Sequence, residues 1–203
     1  FFHAEAGIRD PLWSRGLGDV YKRQIITGIG QGFIQTTPIQ LCLMTAQIAN
    51  GGYKIYPKIV ANDDNQYADK FTPLYKKSRN IKIVQDAMFS STNEVRGTSY
   101  RSRLDDPKYR FAGKTGTSQV KKITELDREL DLKTFQIPYE ERDHALYVAF
   151  GPYKSPRYAL SIIIEHGGSG GTVAAPLAKE LFKMIVDRHE IRKNYDNKKY
   201  LDI

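Results

Sequence analysis

The amino-acid sequence predicts an α+β domain in which helices flank one antiparallel sheet. Strand-like stretches are concentrated after residue 110, where apolar residues alternate or run together between turn signals. Apolar residues with helical spacing occur before that point and again towards the end of the chain. Helices that lie outside a run of neighbouring strands are typical of the α+β class.

Composition sets limits on the class of protein. The 203 residues suffice for one domain with a proper core, and no run of about 18 apolar residues predicts a membrane span. The net charge is +8, but positive and negative residues are interspersed, which argues against a nucleic-acid-binding protein. The excess of positive charge would also suit binding to an anionic cell-wall polymer. The single cysteine, Cys42, lies in an apolar helical pattern and is expected to be a small core residue.

Three segments are predicted to be helices. The first begins at Thr37-Pro38 and ends at Asn50-Gly51-Gly52, with an apolar face formed by Ile39, Leu43, Met44, Ala46 and Ile48. The second runs from Ile81 to Val95 and should bury Ile81, Val84, Met88 and Val95. The third begins at Ala174-Ala175-Pro176, extends to about His189, and should bury Leu177, Leu181, Met184 and Ile185.

Four segments are predicted to be extended. Residues Tyr53 to Val60 should form a strand or an extended arm, and residues 111–120 a strand. Residues 144–151 and 158–165 should form a hairpin around a turn at 152–156. The charged stretch 121–143 is expected to be an exposed insertion, either an inert loop or a gate.

The string Lys114-Thr115-Gly116-Thr117 is the main candidate for chemistry. Alternate residues of a strand share a face, so Thr115 and Thr117 should point the same way, with the backbone uncovered at Gly116. Two hydroxyls, nearby main-chain N–H groups and an ammonium suit a carboxylate or a developing oxyanion. The alternative is an ordinary strand end with a solvated lysine.

Other candidates have weaker support. His144 and His166 invite an acid–base or a metal role, but no second ligand stands at a recognisable metal spacing. The glycine-rich stretch 166–171 could cradle a phosphate, although a strand-to-helix turn is favoured. Ser118 and Ser169 are not favoured as nucleophiles.

Lys-Thr-Gly is also one of the signatures of penicillin-binding proteins and serine β-lactamases. The longer string Ala112-Gly-Lys-Thr-Gly-Thr-Ser-Gln-Val120 resembles the third strand of penicillin-binding transpeptidases, and residues 29–32, 37–41 and 49–52 resemble the segment that borders their active-site cleft. Residues 143–145, 149–152 and 165–168 resemble the last two strands of the elongation-type class B members. The resemblance implies the second half of a transpeptidase fold, which is like that of serine β-lactamases. It covers about residues 25–189.

The resemblance implies peptidoglycan cross-linking, in which a serine attacks the D-Ala-D-Ala amide of a stem peptide and β-lactams acylate the same serine. Lys114 would support proton traffic, Thr115 and Thr117 would hold the terminal carboxylate, and Gly116 would let the substrate lie along the strand. The N–H of Thr117 would form half of the oxyanion hole, so Lys114 and Thr117 are the expected catalytic residues. It implies no cofactor or metal. The partners would be stem peptides, β-lactams and other elongation-complex proteins at the periplasmic face of the inner membrane.

The sequence departs from this family in one respect. No Ser-x-x-Lys followed by Ser-x-Asn stands upstream of Lys114, so the chain is expected not to form an acyl-enzyme by itself. Residues 1–24 lack a steady period and resemble translated adapter sequence, so we expect a non-native or disordered segment there. We expect a C-terminal part of a transpeptidase domain over 25–191 and a polar tail over 192–203.

Three alternatives remain open at this point: a serine β-lactamase-like hydrolase, a division-type transpeptidase, and a non-catalytic basic domain that binds cell wall or nucleic acid.

Overall fold

The computed structural model describes residues 35–57, 72–74, 78–120 and 132–201, together with residues 24, 25, 27 and 28. Residues 37–203 form one compact unit, to which the following account refers. It contains helices α1 (Pro38–Ala49), α2 (Ser78–Asn93) and α3 (Ala175–Leu201) and strands β1 (Ala112–Ser118), β2 (His144–Gly151) and β3 (Tyr158–Ile164). This order confirms the predicted α+β class. The segment 1–24 lies outside the described residues, apart from residue 24.

The sheet is antiparallel, in the order β1-β2-β3. Ala112 to Ser118 of β1 pair with Phe150 to His144 of β2, and β2 pairs with β3 from Ala145↔Ile164 to Gly151↔Tyr158. The predicted hairpin is therefore confirmed. Among the described residues β1 pairs with a strand on one side only, which makes it an edge strand of this sheet.

Helix α1 begins as the sequence predicts. The Thr37 side chain accepts from the backbone N–H of Gln40, the Gln40 side chain accepts from the backbone N–H of Thr37, and Pro38 occupies the first turn. Its predicted apolar face is only partly right, because Ile39 is 62% exposed and Met44 is 41% exposed. The buried residue of α1 is Thr45, whose hydroxyl donates to the carbonyl of Leu41.

Helix α2 ends two residues before the predicted boundary. It buries Ile81 and Met88 as expected, but Val84 is exposed and Val95 lies beyond the helix with 78% exposure. Tyr153 of the hairpin turn packs against the ring of Phe89 and its hydroxyl donates to Asp86, which joins the turn to α2.

Helix α3 buries a different face from the one predicted. Leu177, Leu181 and Met184 are 48%, 41% and 66% exposed, so their assignment to the core is wrong. The side chains that face the sheet are Ala175, Ala178, Phe182 and Val186, all fully buried. The small residues Ala175 and Ala178 let the helix approach the sheet closely, and the Phe182 ring then stacks on Phe111 at a centroid distance of 4.9 Å.

The segment 53–60, predicted to be a strand or an extended arm, forms no strand in its described part. Tyr53 makes an isolated bridge with Pro73, and residues 54–57 have no regular structure. Its remaining residues lie outside the described part of the chain. Residues 132–141 are mostly exposed and contain two short 3₁₀ turns, Thr134–Gln136 and Tyr139–Glu141, in agreement with an exposed insertion.

Candidate functional site

Strand β1 presents Lys-Thr-Gly as the sequence predicts. Thr115 and Thr117 stand opposite Tyr147 and Ala145 of β2, so both threonines belong to the same face of the sheet. Thr115 is half-buried, and Thr117 and Lys114 are exposed. The four predicted site residues are therefore consecutive along a strand that has no neighbouring strand on one side within the described chain.

The lysine side chain returns to the strand. Lys114 Nζ donates to the carbonyl oxygen of Thr115 at 2.8 Å and to Thr115 Oγ1 at 3.3 Å. An ammonium beside a hydroxyl makes a site with positive charge and several donors. Such a site matches a carboxylate, which only accepts hydrogen bonds.

The Thr115 hydroxyl also belongs to a row of hydroxyl groups that the sequence did not reveal. Thr115 Oγ1 lies 3.1 Å from Thr98 Oγ1, which lies 3.2 Å from Ser91 Oγ. Thr98 belongs to the segment after α2, and Ser91 to the last turn of α2. Spacing along the chain contained no signal for these contacts, because both run through Thr98, which lies outside the helix and the strand, 7 residues from Ser91 and 17 from Thr115.

A buried tyrosine supports the strand from behind. The Tyr147 hydroxyl lies 2.9 Å from Thr92 Oγ1 and 3.0 Å from Ser99 Oγ, and all three residues are buried. Burial raises the pKa of the Tyr147 phenol. The hydroxyl end of the ring lies against Gly113, the residue of β1 diagonal to Tyr147, where a Cβ would lie 2.3 Å from the Tyr147 oxygen.

The glycine-rich stretch forms the predicted turn. It leads into one π-helical turn, Gly170–Ala174, ahead of α3. A Cβ on Gly170 would lie 2.3 Å from the Leu146 carbonyl and 2.6 Å from the Gly116 carbonyl. The turn therefore packs directly against the backbone of the Lys-Thr-Gly strand, and glycine is required there for close approach.

An apolar groove of about 630 Å³ opens beside the lysine. Its walls come from α1, α2 and β2, and its lining includes Met44, Ile48, Val84, Met88, Val148 and Lys114. This groove accounts for the exposure of Met44 and Val84, which the sequence had predicted to be core residues.

The two histidines contact each other and the backbone. The backbone N–H of His166 donates to His144 Nδ1 at 2.9 Å, and His166 Nδ1 lies 3.1 Å from the Arg142 carbonyl. His144 stands opposite Ser118, at the far end of β1 from Lys114. The described residues contain no cluster of three metal-ligating side chains. The geometry thus favours a structural role for both histidines.

The structure does not favour Cys42 or Ser118 as a nucleophile. Cys42 is half-buried rather than a fully buried core residue; partial burial raises the pKa of its thiol, and its Sγ lies 3.5 Å from the carbonyl of Ala159. Ser118 is followed by Lys121 at the Ser-x-x-Lys spacing. That spacing aligns two side chains on a helix, whereas Ser118 is the last residue of strand β1, and Lys121 lies outside the described residues.

Ser91-Thr92-Asn93 has the form Ser-x-Asn, but its groups are already engaged. The Asn93 amide donates to the carbonyl groups of Phe89 and Phe111. Thr92 belongs to the buried Tyr147 network.

Among the described residues no helix is both long and apolar enough to cross a membrane.

The chain has an antiparallel sheet with an exposed Lys-Thr-Gly strand, and a helix packs against that sheet. Two threonines of the strand share one face, and the lysine ammonium lies beside the first of them. These features are typical of the penicillin-recognising acyl-transfer domains. Over residues 3–183 the chain matches the penicillin binding protein transpeptidase domain. The chain belongs to this family.

Named relatives support the same family. The chain is 34% identical over 177 residues to the peptidoglycan D,D-transpeptidase MrdA of Salmonella typhimurium, an alignment that covers 80% of the chain and 27% of MrdA. The chain therefore spans about a quarter of the length of the curated relatives that it matches.

Solved structures agree on the fold. The Pseudomonas aeruginosa PBP2 in complex with WCK 5153 is 34% identical, with a TM-score of 0.60 and coverage of 77% of this chain and 31% of that one. The Helicobacter pylori PBP2 in complex with MreC is 29% identical, with a TM-score of 0.63 and coverage of 80% and 27%.

Proposed function

We propose that this chain is the Lys-Thr-Gly part of a peptidoglycan D,D-transpeptidase of cell-wall elongation. The observation that supports the proposal most directly is the arrangement of Lys114, Thr115, Gly116 and Thr117 along the exposed edge strand, with the ammonium 3.3 Å from the Thr115 hydroxyl. The identity to MrdA of Salmonella typhimurium favours the elongation type over a division-type enzyme.

In the proposed mechanism the strand binds the D-Ala-D-Ala end of a stem peptide. Thr115 and Thr117 donate to its terminal carboxylate, and the absence of a side chain at Gly116 lets the peptide lie alongside β1 as an added strand. The serine that attacks the scissile carbonyl comes from another part of the protein. As the tetrahedral intermediate forms, the N–H of Thr117 stabilises its oxyanion, while Lys114 contributes positive charge and supports proton transfer.

D-Alanine leaves with a proton, and the acyl group then passes from the serine to the amine of a neighbouring stem peptide, whose lost proton regenerates the serine hydroxyl. A β-lactam acylates the same serine, because its ring amide occupies the place of the D-Ala-D-Ala amide. No metal or organic cofactor takes part in this mechanism. The proposed location is the periplasmic face of the inner membrane. Since the Helicobacter pylori PBP2 forms a complex with MreC, a protein of that kind is the proposed partner.

The test is covalent labelling of the full-length protein that contains this sequence. A fluorescent penicillin should form one stable adduct, and Lys114→Ala should slow adduct formation by about a hundredfold or more. Lys154→Ala removes the same charge from the exposed hairpin turn and should leave labelling unchanged.

The same experiment separates the alternatives. A β-lactamase-like hydrolase would release the label quickly and turn over many penicillin molecules. A non-catalytic binding domain would form no adduct, and its binding to wall polymer or nucleic acid would fall steeply with salt. Either result would contradict the proposal.

A further inference from the structure

The row of hydroxyl groups behind Thr115 joins the candidate substrate site to helix α2. Ser91, Thr98 and Thr115 stand in sequence at oxygen–oxygen distances of 3.2 and 3.1 Å, and Lys114 Nζ approaches the last of them at 3.3 Å. In each hydroxyl pair either oxygen can be the donor. The direction in which the row donates is therefore free to change.

The position of Thr98 is fixed by packing on both sides. The backbone N–H of Gly97 donates to the backbone carbonyl of Glu94 at 2.8 Å, and the backbone N–H of Ser99 donates to the backbone carbonyl of Ser91 at 3.1 Å. A Cβ on Gly171 would lie 2.6 Å from the Thr98 carbonyl, so the turn before α3 presses against this residue. The Thr98 hydroxyl thus stays within reach of Thr115 without a ligand to hold it.

Thr115 can donate only one hydrogen bond, so the direction of its hydrogen bond with Thr98 determines whether it can also donate to a ligand. Thr115 has one hydroxyl hydrogen, and its oxygen already accepts from Lys114. If Thr115 donates to Thr98, no hydrogen remains for a ligand. If Thr98 donates to Thr115, the Thr115 hydrogen is free to point outwards, and Thr98 in turn accepts from Ser91.

We propose that Thr98 is a positioning residue that turns the Thr115 hydroxyl towards the carboxylate of the bound ligand. This inference rests on the proposed function. A carboxylate can only accept, so its arrival selects the direction Ser91 to Thr98 to Thr115 to ligand. Hydrogen bonds that all run one way polarise one another, which strengthens the last bond to the charged group.

The test compares a β-lactam that has a free carboxylate with one that lacks it. The full-length protein is treated with benzylpenicillin and with its methyl ester, and the second-order acylation rate is measured for each. Thr98→Val keeps the shape of the side chain but removes the hydroxyl. It should slow acylation by benzylpenicillin about threefold to tenfold, and change the rate with the ester by less than about twofold.

Thr98→Ser restores the hydroxyl and should restore the wild-type preference for the carboxylate. Ser91→Ala removes the first donor of the row and should cause a smaller loss in the same direction, with Ser90→Ala as its matched control. If Thr98→Val does not fold, Ser91→Ala decides by the same ratio of rates. Thermal unfolding of each variant establishes that it is folded.

Equal losses with both ligands would overturn the inference, since a merely structural effect does not depend on the carboxylate. So would an unchanged ratio in Thr98→Val, or a Thr98→Ser variant as impaired as Thr98→Val. If the wild-type protein forms no adduct with either ligand, the proposed function fails, and this inference fails with it.

Discussion

At the scale of single residues, Tyr147 links the candidate site to the core. Its hydroxyl contacts Thr92 and Ser99, which are also buried. Tyr147→Phe should lower the free energy of unfolding by about 1 kcal/mol, because both partners lose one hydrogen bond but keep bonds to backbone carbonyls. Urea unfolding measures the change. Tyr139→Phe, at a 60% exposed position, is the control and should be neutral.

The same pair of proteins gives a pH prediction. The pKa of Tyr147 is raised in the folded state, chiefly by burial, so the unfolded chain loses the phenolic proton first as pH rises. The contribution of Tyr147 to the free energy of unfolding is fully present below about pH 10 and is lost as pH rises towards the pKa of Tyr147 in the folded state. The stability advantage of the wild type over Tyr147→Phe should shrink above about pH 10. An advantage that grows with pH would contradict this.

The residues of the site differ in how far the sequence reveals them. Lys114, Thr115, Gly116 and Thr117 were predictable because they are consecutive, and a strand fixes which of them share a face. Thr98 was not predictable, since its contact with Thr115 depends on how the segment after α2 folds back. Their assignment to catalysis and substrate binding remains a prediction that the acylation experiments test.

At the scale of elements, α3 has two apolar stripes, and only one is buried. Phe182→Ala should destabilise the protein by about 3–5 kcal/mol, because its fully buried ring stacks on Phe111. Leu181→Ala, at the neighbouring and 41% exposed position, should cost less than about 1 kcal/mol. Chemical denaturation of the two variants measures both. The reverse order would mean that the other stripe faces the core.

The sequence could not choose between these stripes because both have helical spacing. The prediction selected the larger side chains Leu177, Leu181 and Met184. The fold instead buries the alanines, since small residues let α3 approach the sheet while Phe182 and Val186 fill the remaining space. Local signals were more reliable: the helix start at Thr37-Pro38 and the hairpin turn were both found where the sequence placed them.

The turn before α3 offers a second prediction at this scale. Gly170→Ala places a methyl group against the carbonyl oxygens of Leu146 and Gly116, which cannot move without distorting β1 and β2. We expect a loss of about 3 kcal/mol in the free energy of unfolding. Gly28→Ala is the control, because no atom of the described residues lies within 4 Å of its added Cβ. A Gly170→Ala protein as stable as wild type would contradict this packing.

At the scale of the whole molecule, the proposed site is one half of a catalytic centre. The chain has the residues proposed to bind the carboxylate, but upstream of Lys114 it has no Ser-x-x-Lys. Incubation of the 203-residue chain with penicillin should therefore give no covalent adduct by intact mass, whereas the full-length protein should gain the mass of one penicillin.

Ser118 is the residue at which this prediction could fail, because it is the serine of the 203-residue sequence that has a lysine three residues later. Ser118 ends a strand rather than lying on a helix, where the Ser-x-x-Lys spacing brings the two side chains together, so Ser118 should remain unreactive. Ser118→Ala in the full-length protein should accordingly leave acylation unchanged within about twofold, since its hydroxyl lies three residues along β1 from Thr115. A penicillin adduct that maps to Ser118 in the short chain would show instead that the chain supplies its own nucleophile.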